Sequence, residues 1–228
     1  MYKIGMPSDK ESVKNKNLLT YSCMILQSNY NSSDEFDDRR YLYKNKLDLK
    51  EMENTMKISQ RTIKSRINML IKTDLVETVQ TEDGLVYKFN YKKDDKYFVE
   101  IENDILKQLC HTSSNVIATY ILMKYHLRDG AKQMTREFIA EEIGLSSSSE
   151  RLVTDITKVL AKLGLIAIYE HYKQIDVATK DGTRNGVKKV NVYELISYDD
   201  WKIFDKIIVR KIDKEEYEEV VVDYDSKY

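Results

Sequence analysis

Apolar residues recur with helical spacing between Gln60 and Lys72, where Ile63, Ile67, Leu70 and Ile71 fall at i, i+4, i+7 and i+8 and so share one face. Arg61, Lys64, Ser65, Asn68 and Lys72 fall on the opposite face, with Arg66 at its edge. Ser59 is placed to cap this helix, because its hydroxyl accepts a bond from an amide that has no partner within the helix. The preceding stretch from Leu47 predicts a shorter helix. Downstream, two β-rich runs flank Asp83-Gly84 and predict a hairpin closed by a type I′ turn, whose two central residues need φ > 0. Tyr41-Leu42-Tyr43 alternates and predicts a short third strand beside that hairpin. Leu18, Leu19, Cys23 and Leu26 predict a helix from Asn17 to about Tyr30. Residues 1–16 are polar, hold the single proline (Pro7) and read as a flexible arm, and Asn31 to Arg40 reads as a polar loop.

After residues 92–96 (KKDDK), which read as a linker, the pattern starts again. Tyr97 to Ile101 predicts a strand, Asn103 to Leu109 a short helix, and Asn115 to Leu127 an apolar helix whose Ile117-Ala118-Thr119-Tyr120 echoes Leu18-Leu19-Thr20-Tyr21. MTREFIAEEIGLS (134–146) overlays DLKEMENTMKIS at an offset of 87, matching Ile139 to Met52 and Leu145 to Ile58. SERLVTDITKVLAKLGLI (149–166) overlays SQRTIKSRINMLIKTDLV at an offset of 90, matching Val153 to Ile63 and Leu160 to Leu70. Ser147-x-x-Glu150 has the form of a capping box and predicts a helix start near Ser148. Apolar runs at 165–169 and 190–196 flank a polar stretch with Asp181-Gly182 and Asn185-Gly186, which predicts a second hairpin with a longer loop.

Helix, turn, helix and hairpin is the element order of a winged helix. The expectation is therefore a mainly α chain with small β wings (α+β), made of two tandem winged helix-turn-helix domains at 17–91 and 97–212 with separate cores. The second would end in a short amphipathic helix carrying Trp201, Phe204, Ile207 and Ile208. Residues 213–228 hold seven acids against two lysines and read as a solvated acidic tail.

Charge changes the picture only locally. The whole chain carries -1, so any attraction to nucleic acid must come from segregation of charge, and setting the tail aside leaves residues 1–212 at +4. With 42% hydrophobic residues, one proline and seven glycines, the chain supports real cores and few irregular loops. Cys23 and Cys110 are far apart in sequence and form no C-x-x-C pair, so they read as idle thiols of a reducing cytosol. No run approaches the ~20 apolar residues of a membrane span, and no signal-peptide core opens the chain. A cytoplasmic protein without membrane partners is expected. No phosphate-binding G-x-x-x-x-G-K-[ST] loop is present, and His111, His126 and His171 form neither H-x-H nor H-E-x-x-H. The 17 tyrosines do not make a DNA nickase without a histidine pair to hold its metal. The expectation is a protein that is not an enzyme and needs no cofactor or metal.

The chemistry that remains is duplex recognition. In the first helix the candidate contacts are Gln60, Arg61, Thr62, Lys64, Ser65, Arg66, Asn68 and Lys72, with no acid among them. In the second they are Ser148, Ser149, Arg151, Thr154 and Lys158, with Asp155 in the middle of the face. Arginine and lysine bond guanine edges and asparagine pairs with adenine. Serine and threonine at helix N-termini position phosphates. The tip of the first hairpin is acidic (Glu82, Asp83), whereas the second carries Lys180, Arg184, Lys188 and Lys189 and suits a minor groove or backbone. The plain alternative is that these are ordinary solvated surfaces.

The segments LKEMENTMKISQRTIKSRINMLIKTDLVE and TREFIAEEIGLSSSSERLVTDITKVLAKLGLI resemble the tandem winged-helix replication initiators of bacterial plasmids and phages, over residues 17–196. That resemblance implies double-stranded DNA as the partner, bound at repeated origin sites, with origin melting and recruitment of host replication proteins. It also implies a homodimer formed through one domain, and no catalysis. The near-neutral charge and acidic tail depart from the basic character of such proteins. Two other readings therefore stay open: a winged-helix transcriptional regulator, and a winged-helix protein-interaction scaffold that binds no DNA.

Overall fold

The chain is mixed α+β, and its elements run twice in one order: strand, two helices, strand, two helices, hairpin. The computed structural model describes residues 2–30, 39–92, 97–179 and 182–203, with backbone alone at 91–92, 172–179 and 182–189. The first run is β1 (Lys3–Pro7), α1 (Lys10–Val13), α2 (Leu18–Leu26), the two-residue β2 (Asn29–Tyr30), β3 (Arg39–Tyr43), α3 (Leu49–Met56), α4 (Gln60–Lys72), β4 (Val76–Thr81) and β5 (Gly84–Lys92). The second is β6 (Phe98–Glu102), α5 (Asn103–Leu109), α6 (Ser114–His126), β7 (Lys132–Gln133), α7 (Arg136–Glu142), α8 (Glu150–Lys162), β8 (Ile166–Thr179) and β9 (Gly182–Leu195). Strand orders are β2-β3-β5-β4 in one sheet and β7-β9-β8 in the other.

The backbone keeps the register that the sequence overlay predicts. Asp48 caps α3 by accepting from the Glu51 amide, and Thr135, its counterpart at offset 87, caps α7 by accepting from the Phe138 amide. Lys57 (φ 56°) and Gly144 (φ 76°) turn left-handed at the same offset. Asp74 (φ 55°) and Gly164 (φ 68°) do so after α4 and α8, at offset 90. Ile63, Ile67 and Leu70 are buried on α4, as Val153, Thr157 and Leu160 are on α8.

Residues 1–16 are not a flexible arm. β1 pairs antiparallel with β6, setting Ile4 opposite Ile101 and Met6 opposite Val99. Ile4 and Met6 are 0% exposed, and Val13 is buried beside them. Gly5 lies so close to Phe98 that an added Cβ would stand 1.8 Å from the ring. Asp9 caps α1 by accepting from the Ser12 amide. This segment is the first copy of β6–α5, and antiparallel pairing of corresponding strands is the arrangement that a two-fold relation between the runs produces.

Nor are there two cores. Buried side chains from Ile4 to Trp201 form one cluster, in which α2 packs on both α5 and α6. Ser114 Oγ accepts from the Leu19 amide (3.1 Å) and donates to the Lys16 carbonyl (2.8 Å), which fastens α6 to the start of α2. Cys23 on α2 and Cys110 after α5 are free and buried, and they meet across this junction. The bond to Cys23, together with burial, holds the Cys110 thiol well above its ordinary range. Two residues distant in sequence are therefore neighbours in space.

Other boundaries shift for local reasons. α2 ends at Leu26, and Arg39 and Arg40 open β3 instead of lying in a loop. Arg40 is buried, donating to the Ser28 carbonyl (3.1 Å) and hydroxyl (2.9 Å) under the Tyr2 ring, and burial lowers its pKa to about 10. Lys92 belongs to β5, while 93–96 of the expected linker lie outside the described residues. Thr81 pairs with Gly84, so the first hairpin turns at Glu82-Asp83, neither of which has positive φ. The positive φ (123°) falls on Gly84 at the start of β5, and the expected type I′ turn is not formed. In the second hairpin Thr179 pairs with Gly182 and Asp176 with Asn185, so the polar stretch is strand and not a long loop. Residues 198–203 are helical, and Trp201 is buried with its Nε1 donating to the Leu163 carbonyl at 3.0 Å. Phe204, Ile207, Ile208 and the acidic tail 213–228 lie outside the described residues.

One buried pair has a direct consequence for stability. Glu102, at the end of β6, accepts from Lys124 Nζ on α6 at 2.8 Å, with only 8% of the Glu102 side chain exposed. Lys124→Met leaves that carboxylate without its counter-ion and is expected to cost about 3 kcal/mol, a fall in Tm of roughly 6–12 °C for a chain of this size. Thermal melting checks it, and an unchanged Tm would show that water replaces the lysine.

Candidate nucleic-acid interface

α4 is fixed from behind. Ile63, Ile67 and Leu70 face the core, and the helix packs on α2 and α3. Ser59 caps it as expected, accepting from the Thr62 amide at 3.4 Å while its hydroxyl meets the Thr62 hydroxyl at 3.0 Å. Thirteen residues give a rod of about 20 Å. Arg61, Thr62, Lys64, Ser65, Asn68 and Lys72 are exposed along its outer side, with Arg66 half-exposed. Arg61, Lys64, Arg66 and Lys72 form no ion pair with any described residue. Gln60 differs from the rest of the set: it is half-buried, and its amide donates to Glu53 Oε2 at 3.0 Å, fixing α3 to the first turn of α4.

α8 is the counterpart, with differences at its start. Ser149 is the N-cap, but its backbone (φ -86°, ψ 25°) is nearly helical and its side chain accepts no capping bond. The Ser147–Glu150 capping box is therefore not formed, and the helix begins at Glu150. Instead the Ser149 amide donates to the Ser146 carbonyl (2.8 Å), and the exposed Ser148 hydroxyl meets that of Ser146 (2.9 Å). Arg136 on α7 reaches Glu150 at 3.9 Å, holding the two helices together. Arg151, Lys158 and Lys162 are exposed, as is Asp155. Thr154 is half-exposed, and its hydroxyl donates back to the Glu150 carbonyl (3.0 Å).

Three exposed apolar residues escaped the sequence reading: Met69 (44% exposed) on α4, and Leu152 (42%) and Val159 (37%) on α8. Val159 overlays Met69 and Leu152 overlays Thr62 at offset 90, all outside the buried sets. That offset was the signal that could have found them.

The hairpins contribute unequally. Asp83, at the first tip, accepts from the Tyr43 hydroxyl at 3.3 Å. In the second, Arg184, Lys188 and Lys189 are strand positions of β9 opposite Val177, Lys173 and Tyr172. Their side chains, and Lys180 altogether, lie outside the described residues.

Among the described residues no group of histidine, cysteine, aspartate and glutamate is placed to hold a metal, and no helix is long and apolar enough to cross a membrane. What the arrangement offers is a rigid cationic rod, a second rod of mixed character, and two hairpins. No known protein family, curated protein or solved structure matches the chain significantly.

Proposed function

We propose that the chain is a sequence-specific double-stranded DNA-binding protein, built of two winged-helix units that share one core, and that it acts as a replication initiator at repeated origin sites. The observation that carries this reading is the outer side of α4. Four cationic side chains, without an acid among them and without ion-paired neighbours among the described residues, lie beside Asn68 on a helix fixed from behind. A helix of this kind fits the major groove, where phosphates line both walls and base edges carry the code. The repeat supports two such units.

Salt titration of binding to random duplex is the primary test. A DNA binder loses affinity steeply with added salt because counterions are released, whereas a protein-docking scaffold shows no such loss. Footprints at repeated origin sites then support initiation, and footprints at promoters replace it with transcriptional regulation.

Most of the base readout is assigned to α4. Arg61→Ala or Asn68→Ala is expected to cost about 1–3 kcal/mol at the preferred site and to relax its sequence preference. Lys188→Ala is expected to weaken all sequences alike. Specific and random duplexes compared at fixed salt distinguish these effects; if Arg151 and Lys158 variants lose the discrimination instead, the assignment is reversed.

A further inference from the structure

We propose that α8 reads thymine, with Leu152 and Val159 meeting C5-methyl groups in a major groove where Arg151, Lys158 and Lys162 hold the backbone. The inference rests on the reading of the chain as a duplex-binding protein and adds the class of base edge that its second helix recognises.

The two residues are seven apart, so they lie on one line along α8, about 10.5 Å from each other. That is close to three base-pair steps of roughly 3.4 Å. Neither is needed inside: Val153, Ile156, Thr157 and Leu160 complete the buried side of the helix. Each stands next in sequence to an exposed cation, Leu152 beside Arg151 and Val159 beside Lys158. Lysines such as Lys158 are depleted at protein–protein interfaces, whereas a phosphate-lined groove attracts lysine and arginine alike. The thymine methyl is the apolar group that base edges present in the major groove, so an apolar side chain carried into the groove among cations has one matching partner.

Asp155 falls between the two on the same face, is exposed, and pairs with no cation among the described residues. A carboxylate in that place accepts from a cytosine amino group. The face on α8 is thus apolar, acid, apolar, where α4 presents Thr62, Ser65 and Met69 at corresponding places. Two helices with unlike faces read two unlike half-sites, and the half-site under α8 contains thymine.

The test uses the full chain. Its preferred duplex is selected from a random pool, and each thymine is then replaced singly by uracil, which keeps every hydrogen-bonding group and removes only the methyl. Affinities are measured for the unchanged chain, Leu152→Ala, Val159→Ala and the double variant. At one or two positions uracil is expected to weaken the unchanged chain roughly fourfold, the effect of one buried methyl group. At those same positions it should have no effect on the matching alanine variant. A site indifferent to uracil throughout overturns the proposal, and so does an alanine loss that is the same with thymine and with uracil. Sedimentation covers the other occupant: if the chain dimerises and the double variant does not, the line is a self-association surface and the proposal falls. If no duplex is retained at any salt, the DNA reading itself has failed, and this outcome is distinct from binding without sensitivity to the methyl.

Discussion

Deleting residues 1–13 is expected to leave a chain without a cooperative unfolding transition. The segment carries Ile4, Met6 and Val13 into the common core, and each apolar side chain contributes about 1.5–3 kcal/mol on burial. It also supplies the whole partner ladder of β6. The sum, about 4.5–9 kcal/mol, is comparable with the roughly 5–15 kcal/mol that holds an ordinary domain together. Circular dichroism during urea titration is the measurement. A flexible arm would leave the midpoint unchanged, and that result would remove β1 from the fold. Ile4→Ala alone gives a graded check, since a large-to-small change at a fully buried site costs about 2–5 kcal/mol.

Replacing Arg61, Lys64, Arg66 and Lys72 together by alanine is expected to lower duplex affinity roughly a thousandfold at low salt. Four charge-assisted contacts at about 1 kcal/mol each give that factor. The dependence of log affinity on log salt should flatten by about 3–4. These side chains lie outside the buried set of α4, so the variant should fold, and its melting curve verifies that. The corresponding change on α8, removing Arg151, Lys158 and Lys162, should flatten the slope less, because Asp155 already offsets one charge there. If the quadruple variant keeps both affinity and slope, α4 does not face DNA.

What the sequence made legible was local. α4 was readable to its first and last residues, because isoleucine and leucine spacing and the Ser59 cap are signals contained within the helix itself. The repeat was readable for the same reason, and its offsets of 87 and 90 reappear as paired left-handed residues. Lys57 and Asp74 gave no sign of that conformation on their own; only alignment with Gly144 and Gly164 marks them. β1 was missed because two apolar residues beside a glycine and a proline look like an arm until β6, far along the chain, pairs with them. The second hairpin was misread because the sequence between its apolar ends holds Asp181-Gly182, Asn185-Gly186 and several lysines, which a pattern reading takes for loop although the backbone pairs through to Thr179 and Gly182. The meeting of Cys23 and Cys110 is likewise non-local. At the candidate interface the cations were legible as a charge pattern. The half-buried Gln60 and the outward Leu152 and Val159 needed the packing to be known.

The pairing of β1 with β6 also sets the order of events during synthesis. A ribosome that has released residues 1–92 has delivered every element of the first run, yet Ile4 and Met6 still lack the strand that covers them. The face of α2 that packs on α5 and α6 is equally bare. Ordering that first half early would mean holding apolar surface in water until Glu102 emerges, and closing a loop of this length is slow compared with forming the helices inside it. The nascent first run therefore keeps this apolar surface uncovered until β6, α5 and α6 have been made, and the two halves complete their shared core together.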